Sequence, residues 1–333
     1  MNKRIEGYDF IRSFAILVVF LAHILSNQSD NDALLLGVQS LSPGLTMSLL
    51  GFISAVLLSS REYDFGSFLI KRFTRIYISL IYCLIVILVV HALFGKIRIN
   101  QHVLLHLMGL SAFFDLFSVQ SKATIGSGLW FITAIVLMYL IFPLLQKLFR
   151  HPRGLVHLFF FIALCTMLNF VMHGTQSILN VVISFSVGVY IGVNGHATRL
   201  INSERSMVFP LLGCISLLVI VALSSAHVLP YVIRIFLFAF YPLAFVPFLF
   251  AVCRKLPTRI VAASSFFASL SYEFYILHFY FINDKFRYFF PASTSLYVQI
   301  IFGFIITFVL AYIISKCASW SRKLADKYLL AIS

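Results

Sequence analysis

Within the stretch YDFIRSFAILVVFLAHIL, residues 8–25, a carboxylate, a guanidinium and an imidazole (Asp9, Arg12 and His23) interrupt an otherwise apolar helix. Arg12 and His23 are eleven residues apart, which on an α-helix returns the side chain to within about 20° of its starting direction, about 16 Å further along the axis. The two share a face. Ionisable groups inside an apolar span usually point into protein or water and mark a functional path. Histidine is the side chain most readily used as a general base near neutral pH, above all when a carboxylate orients it. The loop that follows, SNQSDNDA, offers Asp30 and Asp32 for that role, or is simply a solvated acidic loop. The competing reading of Arg12 is that it snorkels to the headgroups while pairing with Asp9 at i, i+3.

Three further stretches carry chemistry. KRFTRIY, 71–77, places Arg72 and Arg75 on one helix face. Paired guanidiniums at a membrane surface suit a phosphate, which each can grip bidentately, or they serve only as a positive anchor. GSGLWFITAIVLMYLIFP, 126–143, brings Trp130 and Tyr139 into an apolar run. SLSYEFYILHF, 269–279, holds Glu273, Tyr275 and His278. A carboxylate there is costly unless it is neutral or paired, and Arg12 and Arg234 are the partners the sequence offers. Weaker signals carry less: His102 and His106 have i, i+4 spacing but no third metal ligand. Ser127 is not in a nucleophile elbow, and the five cysteines form no CxxC. Asn27–Ser29 is a sequon of meaning only in a glycosylating pathway.

The elements that must position these residues follow from composition. The chain has 333 residues, 61% of them hydrophobic and 11% charged, with mean hydropathy +1.00; soluble domains carry about a quarter charged residues. Crossing the hydrocarbon core takes about 20 mostly apolar residues. Ten such runs are readable, near 9–26, 41–59, 69–94, 126–148, 155–173, 177–193, 206–225, 231–252, 261–283 and 294–316. The fold class expected is all-α: a polytopic membrane bundle of about ten spans, one membrane-embedded domain over 1–333 without a soluble domain. Alternate loops collect the lysines and arginines, leaving only Lys96, Arg98, Lys122, Arg234, Lys285 and Arg287 on the opposite side. This asymmetry places both termini in the cytoplasm. It also accounts for the net charge of +14 as topology, so nucleic acid is excluded as a partner and the lipid bilayer takes its place. The connection 95–125, with HVLLHLMGLSAFFDLFSV, is too interrupted to span and reads as a re-entrant or interfacial helix.

Taken together, D-x-x-R-x10-H at Asp9, Arg12 and His23, the Arg72/Arg75 pair, LWF…Y…FP from Leu129 to Pro143 and LSYEFYILH from Leu270 to His278 resemble the membrane acyltransferase-3 family. The resemblance runs over nearly the whole chain, and its size and architecture are similar to the stand-alone O-antigen acetylases of enteric bacteria and their phages. It implies an O-acetyltransferase of the bacterial inner membrane. Acetyl-CoA would be donor substrate, with no permanently bound cofactor and no metal, and a lipid-linked or surface glycan would be the acceptor. On that resemblance His23 is the catalytic base, with Asp32 favoured and Asp30 possible as its orienter, and Arg12 on the same stripe. Arg72 and Arg75 bind the donor phosphates, and Trp130, Tyr139, Glu273, Tyr275 and His278 belong to the acceptor side or the framework. The second span departs from the family pattern: LLGFISAVLL keeps Ser54, but Ala55 stands where a glycine is usual, so helix packing there is expected to differ. The alternative class is a secondary transporter or flippase for a polar solute, which also needs intramembrane charges.

Overall fold

The computed structural model describes residues 6–26, 45–93, 98–112, 125, 128–171, 177–202, 211–216, 219, 236–237, 240–282 and 294–332. Its helices are α1 (Glu6–Ser26), α2 (Met47–Ser59), α3 (Phe65–Leu93), α4 (His102–Leu107), α5 (Trp130–Arg150), α6 (Gly154–Val171), α7 (Ser177–Val193), α8 (His196–Asn202), α9 (Pro242–Lys255), α10 (Thr258–Ile282) and α11 (Leu296–Ile332). There is no strand among the described residues. Six helices (α1, α3, α5, α6, α10 and α11) are long and apolar enough to cross a membrane, and α2 and α7 are shorter apolar helices. The chain is a polytopic helical membrane protein, as its hydropathy predicts. The run expected at 206–225 lies largely outside the described residues, and α11 continues well past the boundary expected at 316.

Two compact units divide the chain, one from residues 1–62 and 137–269, the other from 63–136 and 270–333, with the boundaries inside α5 and α10. In the first unit α2 and α7 meet through small residues. Gly51, Ala55 and Ser59 recur every four residues on α2, as do Ser184, Gly188 and Gly192 on α7. A Cβ on Gly188 would lie 2.5 Å from the Phe52 carbonyl oxygen and 2.8 Å from the Ala55 Cβ, and one on Gly192 would lie 2.6 Å from the Ser59 Cβ. Lipid tails are as apolar as leucine, so such helices associate by close packing and interhelical hydrogen bonds, which small residues permit. The Ser184 hydroxyl accordingly donates to the Ser48 carbonyl at 2.9 Å. Ala55 therefore costs the pair no intimacy, because the glycine is supplied by α7. Elsewhere in this unit Ser13 of α1 donates to the Ser264 carbonyl at 2.6 Å. Tyr8 packs edge-on to Phe250 of α9, ring centroids 5.0 Å apart, and buried Asn169 on α6 donates to Asn180 on α7 at 3.0 Å. Leu158, Ile162 and Cys165 share the buried face of α6 with Asn169, while its opposite face leaves Phe159, Phe160 and Phe170 exposed, as a lipid-facing surface requires.

In the second unit α3 packs along α11, which presents Gly303, Thr307, Ala311, Ile314 and Ala318 as its buried stripe. The Tyr82 and Ser321 hydroxyls lie 2.9 Å apart and set the register. After α3 the chain doubles back. Tyr77 lies sixteen residues before the end of α3, about 24 Å along its axis, yet its hydroxyl donates to the Met108 carbonyl just after α4 at 2.8 Å. The segment around α4 is thus re-entrant rather than superficial, and its turn is fastened to α5. Gly109 takes φ +71°, its carbonyl accepts from the Thr133 hydroxyl at 2.7 Å, and that hydroxyl accepts from the Ala112 N–H at 3.2 Å. Irregular backbone at such depth is tolerated where protein satisfies it.

The substitution Gly188→Val is expected to force α2 and α7 apart at a cost of about 1–3 kcal/mol, in the range measured for overpacked cores. The expected readout is a lower melting temperature of the detergent-solubilised protein; an unchanged one would show that the helices are not held by this contact.

Candidate functional site

Within the first unit, α1 carries its ionisable residues on the side turned into the protein. The exposed positions Leu17 (36%) and Leu21 (37%) lie opposite to Arg12 and His23 on the helical wheel. Buried Tyr8, Asp9, Ala15, Ile16, Val19, Phe20 and Ala22 surround the two on the inward side. Arg12 and His23 sit near the middle of that inward arc, yet each retains partial exposure. The accessible area they keep is thus on the inward arc of the helix, away from Leu17 and Leu21. Arg12 pairs with Asp9 at 3.7 Å, its side chain 28% exposed against 5% for Asp9. The i, i+3 pairing is present, but as a loose contact on the inner face. Tyr139, on the part of α5 in this unit, is half-buried. Asp30 and Asp32 lie outside the described residues, as does Arg234.

Within the second unit, α3 begins at a built cap. Asp64 accepts the Ser67 N–H at 2.9 Å, and its own carbonyl accepts the Phe68 N–H at 2.9 Å, which is N-cap geometry. The Ser67 backbone N–H, then the Ser67 hydroxyl, hold its carboxyl below the ordinary range. Two turns on, Arg72 is half-buried with its guanidinium 5.6 Å above the Phe68 ring, while Arg75 is exposed. One turn further comes Ser79, whose hydroxyl donates to Glu273 Oε1 at 2.7 Å and accepts from Arg322 Nη1 at 3.0 Å. Glu273 is 4% exposed and feels the positive charges of Arg322 and Arg75. Its partner in this unit is thus a serine bridging to an arginine on α11.

The same half of α10 faces the start of α5. Tyr275 donates its hydroxyl to the Gly128 carbonyl at 2.9 Å and meets Phe131 edge-on at 5.5 Å, and Phe131 in turn meets half-buried Trp130 at 5.9 Å. Gly128 needs to be glycine: φ is +81° and a Cβ would lie 2.7 Å from the Phe279 ring. His278, 1% exposed, donates Nδ1–H to the Tyr275 carbonyl at 2.6 Å, so in the neutral ring Nε2 is the acceptor nitrogen.

The structure places Arg12 and His23 on one arc of α1; in the second unit it sets Arg75 within electrostatic reach of Glu273 and, separately, links Trp130 through Phe131 to Tyr275 and His278. Sequence reasoning missed Ser79 and Arg322. Ser79 was legible as the next step of the Arg72–Arg75 stripe, at i+4 from Arg75, whereas Arg322 was one basic residue among several near the end of the chain.

These features define a class first: a helical membrane protein with ionisable groups turned inward on its spans. Compared with known families, residues 5–316 match the acyltransferase-3 family, described as an acyltransferase domain. The chain belongs to that family and is a membrane acyltransferase. No curated protein and no solved structure matches it.

Among the described residues, His102 and His106 belong to no group of three potential metal ligands. His106 is buried, with Nδ1 2.9 Å from the Ser111 hydroxyl.

Proposed function

We propose that the chain is an O-acetyltransferase of the bacterial inner membrane. It moves an acetyl group from cytoplasmic acetyl-CoA to a sugar hydroxyl of a lipid-linked or surface polysaccharide, an O-antigen in the resemblance its sequence carries. The observation that supports this most is the inward arc of α1, where His23 and Arg12 keep accessible area among buried neighbours. A base and a cation in that position can meet a polar substrate inside the protein.

His23 takes the proton of the acceptor hydroxyl as its oxygen attacks the thioester carbonyl. The tetrahedral adduct collapses with cleavage of the C–S bond, and the proton passes from His23 to the departing coenzyme A sulfur, leaving an ester and a free thiol. Asp32, with Asp30 as the alternative, orients the imidazole. Arg72 and Arg75 take the coenzyme phosphates, a role supported by their one-turn spacing near the capped end of α3. An ionic head held there keeps much of its hydration, which spares the cost of moving multiple charges into lipid. Glu273, Tyr275, His278 and Trp130 belong to the framework or to the acceptor side, with Tyr139.

Membranes carrying the protein, given labelled acetyl-CoA and glycan, are expected to pass label covalently to the polysaccharide. His23→Ala is expected to lower the rate by about 10²–10⁴, the usual contribution of a general base, with protein level retained. Arg72→Ala with Arg75→Ala is expected to raise the KM for acetyl-CoA by about tenfold or more. Solute uptake without covalent label would favour a transporter instead, and full activity in both variants would show that the chemistry lies elsewhere.

A further inference from the structure

Arg72, Arg75 and Ser79 stand at i, i+3 and i+7 on α3, so they form one continuous stripe. Arg322 enters that stripe from α11, donating to the Ser79 hydroxyl at 3.0 Å, with the register fixed by the Tyr82–Ser321 contact at 2.9 Å. Its guanidinium therefore occupies the step beyond Arg75. Of the three cations Arg75 is exposed, and Arg72 and Arg322 are half-buried. Glu273 lies against the same hydroxyl, accepting from Ser79 at 2.7 Å. Guanidiniums gathered on one stripe repel each other unless an anion shares the space, and the repulsion grows as they leave bulk water. A ligand with several phosphates meets that need better than a single carboxylate does.

We infer that Arg322 is a third anion-binding residue, completing with Arg72 and Arg75 the site that takes the phosphates of the acyl donor. The inference rests on the donor reading proposed above. Coenzyme A carries a pyrophosphate and a separate phosphate on its ribose, more anionic oxygen than two guanidiniums can grip bidentately. Ser79 and Glu273 act on the donor only through Arg322: they are positioning residues, which hold the fork of its guanidinium at one angle on the α3 stripe.

The test uses the full chain in membranes, with acetyl-CoA as donor and adenosine 3′,5′-bisphosphate as a competing phosphate probe. Arg322→Gln is expected to raise the KM for acetyl-CoA by about tenfold and to weaken inhibition by the bisphosphate in parallel, while kcat changes by less than about threefold. Arg322→Lys, which keeps the charge without the fork, is expected to fall between the two. Ser79→Ala is expected to shift KM the same way by a smaller factor. Wild-type KM and inhibition in Arg322→Gln and Arg322→Lys would overturn the inference, as would loss of kcat at unchanged KM. If Arg322→Gln does not accumulate, Arg322→Lys and Ser79→Ala decide, and wild-type KM in both overturns it. A wild-type protein that transfers no label from acetyl-CoA would overturn the donor reading, and this inference with it, and so is distinct from a failure confined to the variants.

Discussion

The cost of an ionisable side chain in hydrocarbon organises this protein. A charge left facing acyl chains costs at least about 2.5–3.5 kcal/mol at the centre of a span, so each charged residue inside an apolar run dictates how its helix is turned. On α1 this places Asp9, Arg12 and His23 on the inward arc and leaves Leu17 and Leu21 for lipid. On α10 it places Glu273 against Ser79, with Arg322 behind the same hydroxyl. The charges that suit the protein to chemistry are thus the ones that set the rotation of its helices.

Where charge is absent, shape takes over. Water drives no hydrophobic association between helices already in lipid, so the tightest pair is the one that lets backbones approach. Gly51, Ala55 and Ser59 against Ser184, Gly188 and Gly192 show how the requirement is shared between two helices rather than assigned to one position. A glycine missing from one side is made good on the other. The re-entrant segment obeys the related rule for backbone polar groups. Its carbonyls at Met108 and Gly109 are met by Tyr77 and Thr133, which allows a non-spanning helix to run back beside α3.

Function sits on this frame in two kinds of place. A histidine whose neighbours are buried but whose own surface is partly open is suited to moving a proton to or from a substrate inside the protein. A row of guanidiniums near a capped helix end suits phosphate, because its forked donors match phosphate oxygens and its surroundings remain partly hydrated. The donor proposed above, ionic at one end and reactive at the other, would use both.

The sequence by itself determined the class, the rough limits of the helices that are described, and the inward face of α1. Hydropathy, spacing and charge are local properties, and eleven residues of α-helix carry Arg12 round to His23 whatever else the chain does. It also determined the family, through motifs that lie in order along most of the chain. Only the tertiary structure decided what Glu273 meets. Among the described residues it meets Ser79, 194 residues away, and through it Arg322, neither of which the sequence offered. Such pairings depend on which helices become neighbours and at what register, and periodicity along one helix holds no record of that. The same reason made Ala55 look like a defect in the second span until Gly188 was found opposite it.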